Sequence, residues 1–65
     1  MSKYVYTFKN LPDDLFLIEL FREVEKGFTV IKRQTGTEIE CLKQIQSWKV
    51  WADPEPYTEW RIRNL

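Results

Sequence analysis

The stretch from Leu11 to Gly27, LPDDLFLIELFREVEKG, constrains this chain most, because everything else must pack against whatever it forms. Its spacing predicts an amphipathic helix. Leu17, Leu20, Phe21 and Val24 recur at i, i+3, i+4 and i+7, flanked by Phe16 and Ile18, while Glu19, Arg22, Glu23, Glu25 and Lys26 fall on the opposite arc. Pro12 suits a first helical position, Asp13 and Asp14 suit the electropositive end, and Gly27 offers a left-handed terminator. Only Leu15 stands against the pattern.

On either side of this stretch the period changes to two. Tyr4, Tyr6 and Phe8 alternate with Val5, Thr7 and Lys9, which predicts a strand over about residues 3 to 9, apolar on both faces and therefore interior to a sheet. After Gly27, the residues from Phe28 to Gln34 and from Thr37 to Leu42 read as a hairpin around Thr35-Gly36. The register that sets Ile31 opposite Ile39 and Lys32 opposite Glu38 is preferred, since cross-strand pairs are worth roughly 0.2 to 1 kcal/mol each. A rival reading makes residues 38 to 48 a second short helix. Thr37 and Glu40 then match a capping box and Cys41, Leu42, Ile45 and Trp48 line one side, at the cost of leaving Ile39, Val50 and Trp51 in water. The last part reads as two strands around a loop stiffened by Pro54 and Pro56, with Trp48, Val50, Trp60 and Ile62 inward. The expected fold is a single α+β domain over residues 1 to 65. One helix packs on a small, mostly antiparallel sheet in the order β-α-β-β-β-β, with the helix near 38 to 48 as alternative.

The pattern Phe8-Lys9-Asn10-Leu11-Pro12, followed by a helix holding Leu20-Phe21, resembles the first strand and helix of an RNA-recognition-motif domain over the first third of the chain. The resemblance implies a base-stacking role for Tyr6. The family's aromatic, glycine-bearing octapeptide would fall near residues 39 to 46, where this chain has neither glycine nor aromatic.

Composition narrows the function classes. Ten basic side chains balance ten acidic ones without histidine, and the halves barely differ, so no whole-molecule field favours nucleic acid or membrane. Cys41 is the only cysteine, which leaves no intrachain disulfide, no cysteine metal cluster and no cysteine–histidine nucleophile. Asp13 with Asp14 and Glu38 with Glu40 read as capping or solvated carboxylates rather than an acid–base pair. No catalytic residue, cofactor or metal site is expected. With no signal-peptide pattern and no apolar run near the roughly 20 residues that span a bilayer, the expectation is a soluble cytoplasmic protein.

Ten aromatic side chains in 65 residues exceed what so small a core can hold. The surplus predicts an exposed contact surface. Tryptophan and arginine dominate binding hot spots, so Lys49, Trp51, Tyr57, Arg61 and Arg63 on the expected C-terminal hairpin are the candidate partner-binding residues. The functional expectation is a non-enzymatic interaction or regulatory protein that binds a larger protein partner or forms a homodimer. The alternative is a small nucleic-acid-binding module using Lys32, Arg33, Lys49, Arg61 and Arg63, with salt-sensitive affinity.

Overall fold

In the computed structural model, which describes residues 3 to 65, a four-stranded mixed sheet carries two helices. The elements are β1 (Tyr4–Leu11), β2 (Leu15–Val24), β3 (Gly27–Gly36), α1 (Glu38–Trp51), β4 (Glu55–Pro56) and α2 (Tyr57–Arg63), and the strand order is β3-β2-β1-β4. The α+β class and the interior placement of the first strand are as the sequence implies. The position of the helix is not.

Leu11 to Gly27 forms no helix: it is the end of β1, a turn, and all of β2. Seven successive residues from Leu15 to Phe21 are apolar except Glu19, and such a run satisfies a period of two as well as one of 3.6. Burial on both sides of the sheet decides between them. Phe16, Ile18 and Leu20 enter one face, with Ile18 and Leu20 fully buried, while Leu17, Glu19 and Phe21 enter the other. A lone helix would have left Leu15 and one flank of this run in water. The aspartates serve the turn instead, with φ of 64° at Asp13 and 58° at Asp14, a left-handed pair that Asp tolerates and that matches the twist of a tight hairpin. Leu15 N–H closes it on Pro12 C=O at 3.4 Å. Gly27, at φ 138°, closes the next turn opposite Val24, a conformation L side chains rarely adopt.

With Leu11–Gly27 extended, the strand pairings move. β2 pairs antiparallel with β1 (Val5 opposite Phe21, Phe8 opposite Ile18) and with β3 (Ile18 opposite Gln34, Glu19 opposite Arg33). The expected hairpin of residues 28 to 42 is replaced by this β2–β3 pair followed by α1. Thr37 is the N-cap of that helix: its Oγ1 accepts Glu40 N–H at 3.3 Å, and Glu40 Oε1 accepts Thr37 N–H at 2.8 Å. The alternative helix is thus the one that forms, three residues longer than expected. Ile39 and Val50 do face water, at 66% and 86% exposure, because Cys41, Ile45 and Trp48 are buried against the sheet. The resemblance to an RNA-recognition motif loses its helix, since Leu20 and Phe21 lie in β2.

The expected C-terminal strand pair is also corrected. Residues 48 to 51 complete α1, only Glu55 and Pro56 form a strand, and Pro56 caps α2. Trp48 is buried as expected, but from a helix, and Ile62 is exposed. Phe28 meets Trp60 edge-on at 4.8 Å and Tyr57 at 6.1 Å, which seats α2 on the face of the sheet opposite α1.

Two outcomes follow from these contacts. The hydrogen bonds from Thr37, backbone first and hydroxyl second, hold the Glu40 carboxyl below its ordinary range. A lowered folded value stabilises fully above the ordinary carboxylate range and is lost as pH falls through that value. Thr37→Ala should cost about 1 kcal/mol in urea unfolding at neutral pH and flatten part of the loss seen below about pH 4. Thr7 Oγ1 is shielded from solvent with no hydrogen-bond partner among the described residues. Thr7→Val should leave stability unchanged or raise it by about 1 kcal/mol, read in the same titration.

Candidate protein-interaction groove

The five candidate residues do not share one surface. Lys49 and Trp51 lie on α1, Tyr57, Arg61 and Arg63 on α2, and the sheet separates the two helices. Trp51 is 54% exposed and rests edge-on against Tyr4 at 5.9 Å. Tyr57 stacks on Trp60 at 5.8 Å and contacts Phe28. Arg61 is exposed, and Arg63 is tied to Glu55: Nη2 donates to Oε2 at 2.6 Å and Nη1 lies 2.5 Å from Oε1. Among the cations of the alternative reading, Arg33 pairs with the buried Glu19 at 2.9 Å, directly across β2–β3.

What the fold builds instead is a groove along β1. α1 runs antiparallel to that strand: Trp51 at its end meets Tyr4, and Cys41 near its start donates its S–H to the carbonyl of Phe16, which sits opposite Asn10. Helical spacing puts Glu38, Leu42, Ile45 and Lys49 along one side of α1 at i, i+4, i+7 and i+11. Strand spacing puts Tyr6 and Phe8 on the same side of the sheet. Between these rows lies a cavity of about 420 Å³, apolar at its centre, with Glu38 toward one end and Lys49 toward the other. Leu42, 49% exposed, also borders a neighbouring depression with Ile39, Lys43 and Gln46, which extends the apolar strip over the helix. Tyr6 anchors the floor as a neutral phenol, its ionisation pushed up by burial first and by Glu59 second.

The strand beside this cavity is only partly covered. β4 pairs with β1 at Val5–Glu55 and Tyr6–Pro56 and nowhere else. Glu23 N–H bonds Lys3 C=O at 2.7 Å, so the alternation of an antiparallel ladder turns the odd-numbered peptide groups of β1 toward β2 and the even-numbered ones away. Beyond Tyr6, the N–H and C=O of Phe8 and Asn10 therefore face outward with no strand of the described residues against them. On the other side of this open edge a second cavity, of about 290 Å³, is lined by Thr7, Lys9, Tyr57 and Thr58 together with Tyr6, Phe8 and Pro56, which border the first cavity as well. Two of the five candidate residues, Lys49 and Tyr57, flank the edge, one on each side. Phe8, Leu42 and Ile45 were missed as a site. Their signal is the i, i+4, i+7, i+11 stripe, which exists only once residues 38 to 51 are read as a helix.

Among the described residues, no cluster of three or more potential metal-ligating His, Cys, Asp or Glu side chains occurs, and no helix is long and apolar enough to cross a membrane. The Arg63 hydrogen bond holds the Glu55 carboxyl below its ordinary range and thereby ties α2 to β4. Glu55→Gln should speed amide exchange in α2 and weaken the Tyr57–Trp60 near-UV dichroism, an effect that 1 M salt reproduces in the parent chain. Comparison with protein-family models, curated proteins and solved structures gave no significant match to the chain.

Proposed function

We propose that this chain is a non-enzymatic interaction module that binds a larger protein partner in the groove between α1 and β1. The observation that supports it is the apolar floor of Phe8, Leu42 and Ile45 opening beside an uncovered strand edge. A core side chain would normally close such a gap in a domain this small, where buried apolar area is scarce. Here Leu42 points into it and remains half exposed. Lys49 and Glu38 supply charges of opposite sign along the groove, which fixes the orientation of a bound segment more than its affinity. The basic side chains do not gather on one face, so the nucleic-acid reading gains no support from their placement.

Selection of a random peptide library on the full chain tests the reading. Leu42→Asp alters an exposed position of the groove and leaves the core intact. Saturable binders should emerge and lose at least about tenfold in affinity on the Leu42→Asp chain, a change of about 1.4 kcal/mol. Binders indifferent to Leu42→Asp and to Lys49→Glu, or no saturable binder at all, would overturn it.

A further inference from the structure

Resting on that reading, we infer that the groove takes its partner as an extended strand, four or five residues long, added to β1 in the line where β4 stops. The deciding feature is backbone chemistry. The peptide groups of Phe8 and Asn10 present two donors and two acceptors to the open edge, and only a chain with unpaired peptide groups of its own can match them. A helix has already spent its backbone bonds internally and would leave them unmet.

The two outer edges of the sheet are treated differently. β3, the other edge, carries Lys32 and Arg33, and its register with β2 slips between Leu20 and Phe21, which leaves Ile31 as a bulged residue. Bulges and charges on an edge discourage pairing with another chain. From Thr7 to Leu11 the edge of β1 is regularly paired on its inner side, without bulge or proline, and Lys9 is its one charge. Pro56 ends β4 at the level of Tyr6, so an incoming segment begins there and runs toward Leu11.

Alternation then sets the chemistry of the segment. Every second side chain falls on the α1 side, between Phe8, Leu42 and Ile45, and takes an apolar group. The others fall on the α2 side beside Lys9 and the ring of Tyr57, in a hollow whose lining is also mostly apolar. The partner is therefore an exposed, extended stretch whose every second residue, the one facing Leu42 and Ile45, is apolar.

Total synthesis of the full chain with an N-methyl group on the Asn10 or Phe8 amide removes one outward donor and no β1–β2 ladder bond; N-methylation of Arg33, outward on β3, is the control. Against peptides selected as above, each β1 methylation should weaken binding about five- to tenfold, and the Arg33 control should not. The selected peptides should alternate apolar residues, and binding should slow exchange at Phe8 and Asn10. Unchanged affinity on both β1 methylations, with Leu42→Asp still disruptive, would overturn strand addition while leaving the interaction reading in place. Indifference to both Leu42→Asp and Lys49→Glu would instead remove that reading. If ultracentrifugation of the chain alone shows a dimer abolished by Asn10 methylation, the occupant is a second copy and the partner-segment inference fails.

Discussion

The burial of Trp48 against Ile18 and Leu20 holds the rest of this structure in place. Trp48 is 2% exposed and the two β2 side chains are fully buried, with Cys41, Ile45 and Ala52 completing the cluster and Tyr4, Tyr6, Phe8 and Phe16 around it. At roughly 25 cal/mol per Å² of apolar area removed from water, one indole and its neighbours supply a large share of what a domain this size can gain. Trp48 fixes the rotation of α1 about its axis. That rotation sends the Leu42–Ile45 row to the edge of the sheet and Ile39 and Val50 to solvent. The groove is thus a by-product of how the core is filled.

The opposite face is held by different means. α2 is a short helix with no buried residue, seated by Phe28 against Tyr57 and Trp60 and tethered through Arg63 to Glu55. Glu19 and Arg33 fill the same face of the sheet with a cross-strand pair. An aromatic surplus beyond one small core therefore goes largely to this second, thinner layer. Trp48 is buried, Trp51 is more than half exposed, and the remaining rings are partly covered.

What the sequence made legible is what a local pattern specifies without competition. β1 was readable because Tyr4, Tyr6 and Phe8 alternate without competition, and its interior position followed from apolar groups on both sides. α1 was readable only as the alternative, through Thr37 and Glu40, a local device independent of the rest of the fold, because β-branched and aromatic residues near Trp48 argued for a strand. β2 was not readable, because a strand buried on both faces loses its alternation and Asp13-Asp14 serves a hairpin turn as well as a helix start. That one misassignment propagated: once Leu11–Gly27 is taken as helix, Phe28–Gln34 must seek a partner downstream. The exposed Trp51 was legible, but the surface it would share with Arg61 and Arg63 was not, since it depended on strands that are helices.

The pairing of β4 with β1 joins residues about fifty positions apart, whereas β1, β2 and β3 are joined by turns of two or three residues. Closing so long a loop carries an entropic penalty that tight hairpins escape, and here a two-residue strand and the ring contacts of Tyr57 and Trp60 with Phe28 offset it. Stability is therefore graded along the polypeptide: a meander with α1 clamped on it forms the durable part, and the segment after Asp53 is the portion that detaches first in a local opening. Each detachment lengthens the uncovered margin of β1 from Phe8 back to Tyr4, so the width of the landing strip is governed by the weakest seam in the molecule.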